Sequence, residues 1–312
     1  MNSTSMQRSV LVTGGAGFLG RAAARTFKAR GWRVVGVGHG RLTPEEASAQ
    51  GFDAWLTAEV SLAGLAALDE PFDVVAHCAG NGLVGHSLSQ PLDAFRSTVQ
   101  STAELLEHLR LTASKAVLVY PSSAGVYGAA DDRPLRESDR PNPVSPYGYH
   151  KKLAEDLLEC QSRYFGLRVA VIRFFSIYGP GLAKQLLWDA AGKLCAGGAR
   201  VDFWGTGDET RDWIHVNDAA AFMADLSAVS EPFTIVNGAS GERVTVRTVL
   251  ELLREALGAD VQIGFNGTVR TGDPRFYHAD MAQAGSLGLR ARIPLAEGLQ
   301  DYAHWFKSTW SR

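Results

Sequence analysis

Short apolar runs recur through the first half of the chain, each closed by glycine or a polar turn and followed by apolar residues at helical spacing. Ser9–Thr13 (SVLVT) reads as a buried strand that stops at Gly14 and Gly15, and 22–30 after it reads as a helix ending at Gly31. Residues 32–37 (WRVVGV), 53–56, 73–77 (DVVAH) and 115–120 (KAVLVY) are four further strands, with a helix over 92–110 between the last two. The stretch from Pro141 to Pro146 breaks the pattern, after which 147–164 reads as a long helix and 168–174 (RVAVIRF) as another strand.

Parallel strands need crossover connections, so this alternation predicts an α/β fold with a doubly wound parallel Rossmann sheet over 1–178. Beyond Gly179 and Pro180 the strands shorten and glycine turns appear at 205–207, 238 and 272, with a helix over 246–257. Residues 179–312 are therefore read as a smaller α/β substrate lobe, with the chain free to return to the sheet edge. A cleft between closely joined lobes is the expected ligand site.

Bulk composition narrows the partners. Lys and Arg are scattered and the formal net charge is −2, which argues against nucleic acid or an anionic membrane as the main partner. Cys78, Cys160 and Cys195 are odd in number and far apart, with no C-x-x-C pair, so they read as reduced thiols. With no apolar leader or spanning segment in view, the expected location is the cytoplasm.

Gly14, Gly17 and Gly20 stand in TGGAGFLG, directly after the first strand. Such glycines let the backbone approach a pyrophosphate, and the helix that opens with Phe18 and Leu19 offers unpaired N–H groups and a favourable dipole. A glycine triplet alone is also an ordinary tight turn; its place after the first strand of an alternating pattern makes dinucleotide binding the better reading. Folds that prefer NAD usually end the second strand with an acid that bonds the ribose 2′-hydroxyl. Here that position is Gly38, with His39 and Arg41 just after it, which tilts the cofactor from NAD toward NADP. Glu59 and Val60, past the third strand, are candidates for the adenine edge, and Ala79 and Gly80, past the fourth, for the dinucleotide.

Tyr147 and Lys151 form a Y-x-x-x-K spacing at the start of a helix, on one face and a turn apart. A phenol titrates near pH ~10, so a neighbouring ammonium makes it a usable acid and base near neutrality. Ser122 and Ser123 lie at the C-terminal end of the fifth strand, where open parallel sheets bind ligands.

Taken in order, TGGAGFLG, HCAG (77–80), SSAGVYG (122–128), YGYHK (147–151), RFFSIYGP (173–180), RDWIHVNDAA (211–220) and RTGDP (270–274) resemble the extended short-chain dehydrogenase/reductase family, in its nucleotide-sugar epimerase and reductase branch. The resemblance runs over nearly the whole chain. It implies that Ser123 bonds the reacting sugar oxygen, Tyr147 shuttles the proton, and Lys151 holds the nicotinamide ribose while lowering the tyrosine pKa. It also implies that Arg211 and Arg270 hold a nucleotide diphosphate, Asp273 the nucleotide ribose, and that the partner is a nucleotide-sugar substrate. Ser176 and Thr98 depart from the family, which commonly has Asn at both places, the first on the diphosphate and the second beside the cofactor. His77 reads as a strand-end structural residue and Cys78 as packing.

Within the branch, 4,6-dehydratases carry an Asp-Glu pair directly after the active-site hydroxyl, where this chain has Ala124 and Gly125. Dehydration therefore lacks its acid and base. A 4-epimerase, working through a 4-keto sugar, is the first reading; an NADPH-dependent 4-ketosugar reductase is the second. A catalytically silent dinucleotide-binding regulator is the third, and it would be expected to have lost Tyr147 or Lys151. The resemblance also implies a homodimer built on the helices over 92–110 and 147–164, where Leu105, Leu106, Leu153 and Leu157 offer apolar surface that either the dimer or core packing could use.

Overall fold

A computed structural model describes residues 7–129, 131–268 and 275–310. Strands β1 (Ser9–Thr13), β2 (Arg33–Gly38), β3 (Ala54–Thr57), β4 (Val74–His77), β5 (Val117–Ser123) and β6 (Arg168–Phe174) join the strand Phe233–Gly238 in a seven-stranded sheet. Its order runs β3, β2, β1, β4, β5, β6 and then Phe233–Gly238, so the chain works outward from β1 to one edge and then from β4 to the other. β1 pairs in parallel with both β2 and β4, as do β2 with β3 and β4 with β5. This is the doubly wound Rossmann arrangement, and its switch point lies between β1 and β4.

The strands are buried on both faces because successive side chains point opposite ways. Leu11, Val35, Val37, Val75, Leu118 and Val171 pack with Leu65, Leu105, Leu109, Ala154 and Leu158 from covering helices. On the other face helix α1 (Phe18–Ala29) lies against β1 and β2 and buries Ala22, Ala23, Ala24 and Phe27.

The chain forms two compact units that interleave along the sequence. The first takes in Met1–Val126, Pro143–Arg173 and Ala220–Val236, and the second Tyr127–Asn142, Phe174–Ala219 and Asn237–Arg312. Within the second, Ser176–Tyr178 runs parallel to Trp213–His215 and Arg200–Phe203 parallel to Gln262–Phe265, while Thr210–Arg211 pairs antiparallel with Val244–Thr245. Helices Gln185–Ala196, Val246–Leu257 and Leu295–Thr309 pack on one another there.

Two elements differ from the pattern reading. The helix expected over 92–110 is three pieces, a helix Pro91–Phe95, a π-helix Arg96–Gln100 and a helix Ser101–Leu111. The Ser101 and Thr102 hydroxyls bond back to the Ser97 and Thr98 carbonyls at 2.7 and 2.6 Å, competition that bends a helix. Strand β5 runs on to Ser123, past Pro121, and so carries both serines to the sheet's ligand-binding end. Of the leucines open to either dimer surface or core, Leu105 and Leu106 are buried in the core, whereas Leu153 is 44% exposed.

Among the described residues no helix is long and apolar enough to cross a membrane, and Cys78, Cys160 and Cys195 are all free thiols.

Candidate active site

At the switch point, the turn after β1 lies against the end of β4. Gly14 has φ +62°, and a Cβ there would fall 2.6 Å from Ala79 N, so both conformation and space require glycine. Gly17 then opens α1 from an extended conformation, with no side chain capping the helix and no acid in its first turn. Gly17 N–H donates to Gly14 O at 2.9 Å, and the N–H groups that follow it in the first turn, with the positive end of the dipole, are left for an anion, a donor set that fits a dinucleotide pyrophosphate. Gly20 lets the first helical turn close onto the glycine turn, since a Cβ there would lie 2.3 Å from Gly14 O. Phe18 and Leu19 are half-buried in that first helical turn, and Ala79 and Gly80 follow β4 opposite it.

The residues expected around the adenosine are spread along the neighbouring strand ends. Gly38 is buried at the end of β2, whereas His39 and Arg41 are exposed on the loop after it. Glu59 is exposed just past β3 and Val60 packs against the core. Thr98 sits in the π-helix, 1% exposed, and its hydroxyl accepts Asn81 N–H at 3.0 Å. It thereby ties the loop after β4 to that helix.

The hydroxyl site forms where β5 ends. Ser123 Oγ accepts Gly125 N–H at 3.0 Å, folding residues 124–126 into a 3-10 turn. The helix Pro146–Phe165 starts against this turn: Ser145 caps it by accepting Gly148 N–H, Pro146 takes the first helical position, and Ser87 Oγ accepts Tyr147 N–H at 3.0 Å. A Cβ on Gly148 would lie 2.4 Å from Gly125 O, so this glycine sets how closely helix and turn approach. As a result a Cβ on Gly125 would stand 3.3 Å from both Ser123 Oγ and Tyr147 Cε1, which shows that serine and tyrosine converge across it.

Burial pushes the Tyr147 phenol above its ordinary pKa, and a hydrogen bond from Ser123 opposes the rise. Lys151 is 6% exposed, and its Nζ donates to Pro121 O at 2.9 Å and lies 3.3 Å from Tyr120 Oη. Burial lowers that ammonium to about 8 although Cys78 and Glu155 favour its charge. The sequence places Lys151 under Tyr147; the structure directs its ammonium onto the end of β5.

Two buried networks behind these groups escape sequence reading. Glu155, one turn beyond Lys151, accepts a hydrogen bond from Ser122 Oγ and an ion pair from Arg173 on β6. Its spacing of four from Lys151 is the only signal that would have singled it out. His77, fully buried at the end of β4, lies 2.7 Å from Thr13 Oγ1 through Nδ1 and 3.0 Å from Thr102 Oγ1 through Nε2. Thr102 donates to Thr98 O, so it accepts from Nε2–H, and Thr13 donates to Nδ1 while receiving Ala79 N–H at 3.3 Å. Burial and the Lys151 charge lower this imidazole to about 3, so it is a neutral strut between β1, β4 and the helix Ser101–Leu111.

In the second unit the pairing of Ser176–Tyr178 with Trp213–His215 brings Ser176 next to the Arg211–Asp212 step, with Ser176 N–H donating to Asp212 O at 2.9 Å. Arg211 is half-buried and donates from Nη1 to Thr210 O. The Asp212 carboxylate, fully buried, accepts from Ser240 N–H, Ser240 Oγ, Gly241 N–H and Ala279 N–H, and burial pushes it up to about 6. Arg270 and Asp273 lie outside the described residues.

The model of the NAD dependent epimerase/dehydratase family matches residues 10–237. UDP-glucose 4-epimerase of Azospirillum brasilense is 30% identical, with 88% of this chain and 84% of that protein aligned. Among solved structures, UDP-glucose 4-epimerase of Thermotoga maritima with UDP-glucose superposes with a TM-score of 0.87 at 25% identity, covering 96% of this chain and 99% of that one. UDP-glucose 4-epimerase of Thermus thermophilus, in complex with NAD, gives 0.84 at 27% identity over 97% of this chain and all of that one.

Proposed function

The chain belongs to the NAD-dependent epimerase/dehydratase family, and we propose that within it this protein is a nucleoside-diphosphate-sugar 4-epimerase that acts on a UDP-hexose through a 4-keto intermediate. The observation that carries this reading is the convergence of Ser123 Oγ and the Tyr147 ring across Gly125. One hydroxyl orients the sugar oxygen and one phenol exchanges its proton, which is the acid–base set that a reversible alcohol oxidation needs. A bound nicotinamide supplies the hydride acceptor and donor.

Tyr147 takes the proton from the 4-hydroxyl and returns it to the same oxygen after the sugar has turned. Ser123 holds that oxygen in both orientations. Lys151, when charged, offsets the cost of the buried phenolate, and its position at the β5 end suits it to the nicotinamide ribose. Gly14, Gly17, Phe18, Leu19 and Gly20 hold the pyrophosphate, with Ala79 and Gly80 facing it, and Glu59 and Val60 take the adenine edge. Arg211, Ser176, Arg270 and Asp273 hold the nucleoside diphosphate, so that binding energy from an unreactive part of the substrate positions the reacting carbon.

Ala124 is buried and Gly125 has no side chain, so neither offers the acid or base that dehydration needs. The absence of a carboxylate at Gly38 and the exposed Arg41 favour a second reading, an NADPH-dependent 4-ketosugar reductase. Mass spectrometry of the dinucleotide released on denaturing freshly purified protein, together with UDP-glucose to UDP-galactose conversion without added cofactor, tests the two. Retained dinucleotide and cofactor-free interconversion are expected. An empty protein that turns over only 4-keto sugars with added NADPH would replace the first reading by the second. The exposed apolar side chains Leu88, Leu92, Tyr149 and Leu153 fit a homodimer face, and the free thiols fit the cytoplasm.

A further inference from the structure

The end of β2 is unusual in carrying glycine at both 36 and 38, and one tryptophan covers both. A Cβ on Gly36 would fall 2.6 Å from Trp55 Cε3, and one on Gly38 would fall 3.2 Å from Trp55 Cη2 and 3.6 Å from Cζ2. The same indole, with Phe52 beside it, also abuts Gly15 in the glycine turn, where a Cβ would meet Phe52 Cζ at 2.8 Å and Trp55 Cζ3 at 2.9 Å. The six-membered ring therefore fills the groove between the glycine turn and the last residue of β2. In dinucleotide folds that last residue is the one that reads the adenosine ribose.

The indole has little freedom to yield. Phe52 is 3% exposed and packs on it with ring centroids 5.2 Å apart. Trp55 Nε1 donates to Gly40 O at 3.1 Å and to Thr57 Oγ1 at 3.2 Å, and Thr57 Oγ1 donates to Gly40 O at 3.1 Å. These bonds also fasten the loop that presents His39 and Arg41.

We propose that Trp55 is the residue that determines how this chain reads the cofactor ribose: it occupies the room an acid at 38 would use, so Gly38 is a consequence of Trp55, and the loop is left to discriminate without a carboxylate. This rests on the dinucleotide reading above. A side chain introduced at 38 is crowded by the outer ring of the indole, 3.2 Å from its Cβ, and is relieved of that contact once the ring is removed. The pair is then a specificity unit in which neither residue can be exchanged alone.

The test is a double-mutant cycle read by calorimetric binding of NAD and of NADP to the full chain, for the parent, Gly38→Asp, Trp55→Phe and both together. Trp55→Phe keeps a ring on Phe52 and Gly36 and removes the atoms that reach Gly38. In the parent background Gly38→Asp should weaken NAD roughly fivefold or more, and in the Trp55→Phe background it should strengthen NAD by a similar factor and weaken NADP, a coupling within the range seen for touching residues. Should Gly38→Asp fail to fold in the parent, Gly38→Ala reads the steric part alone: it should lower the melting temperature with Trp55 present and leave it unchanged with Phe. Equal effects of the position 38 substitutions in both backgrounds would overturn the proposal. A parent chain that binds neither dinucleotide would overturn the cofactor reading itself, a separate outcome.

Discussion

Arg173 Nη2 lies 2.8 Å from Glu155 Oε2, and each side chain is 4% exposed, so an ion pair removed from water joins β6 to the helix that carries Tyr147 and Lys151. Ser122, the residue before the candidate active-site serine, bonds the same carboxylate. The register between helix and strand end is thus held from behind by charge-assisted bonds.

Removing one partner leaves the other charge buried without its ion-pair partner. Arg173→Leu should cost about 3 kcal/mol or more, and Glu155→Leu combined with Arg173→Leu should recover much of it. Urea unfolding of the parent, the single variant and the double variant measures this, and equal losses in the last two would contradict it.

Tyr147→Phe removes only the phenolic oxygen. It should lower kcat roughly 100-fold or more, the range of general acid–base contributions, with dinucleotide affinity unchanged. Steady-state kinetics beside calorimetric binding checks both halves.

The neutral His77 makes the fold sensitive to acid. Its folded pKa is lowered to about 3, so between the ordinary value of 6.5 and that point the unfolded chain binds a proton that the folded chain does not. Stability is fully present above 6.5 and is lost as pH falls, at up to about 1.4 kcal/mol per pH unit from this group. His77→Gln can donate to Thr102 and accept from Thr13 without titrating. The gap between its urea midpoint and that of the parent should move in the variant's favour from pH 7.5 to pH 5.

Arg211→Ala should raise KM for a UDP-sugar roughly tenfold, as loss of a charge-assisted contact to a diphosphate does, with NAD affinity almost unchanged. Competition by free UDP should weaken in parallel. A variant that unfolds more easily but competes as before would assign Arg211 to packing instead.

The exposed side chains Leu88, Leu92, Tyr149 and Leu153 should be covered in a homodimer. Light scattering at micromolar concentration is expected to give twice the chain mass, and Leu153→Glu should shift it to monomer.

Much of this was legible because buried parallel strands write themselves as apolar runs. Ser9–Thr13 and Arg168–Phe174 have the bounds the pattern predicts, and so does the helix Val246–Leu257, which has a Thr245 cap and ends at Gly258 in the left-handed region. The glycine turn and the Tyr147–Lys151 spacing were legible for the same reason, since both are local. What stayed hidden depends on contacts far apart in sequence. Nothing in the strand DVVAH tells that His77 will meet Thr13 and Thr102, and nothing near Gly38 tells that Trp55 fills its groove. The three-part helix at 91–111 was hidden too, because the hydroxyl back-bonds that interrupt it do not disturb its apolar spacing.

The π turn at Arg96–Gln100 gives this stretch an uneven tolerance of length change. Its i→i+5 bonds accommodate one residue more than an α-helical turn, and each residue of a regular helix adds about 100° of rotation. A single-codon deletion inside the turn, other than of Thr98 that Asn81 bonds, can therefore relax it to α-helix and leave the residues beyond near their present phase, whereas a deletion within Ser101–Leu111 turns everything after it by that angle. Loss of one residue should accordingly be borne better at 96–100 than in the regular helix that follows.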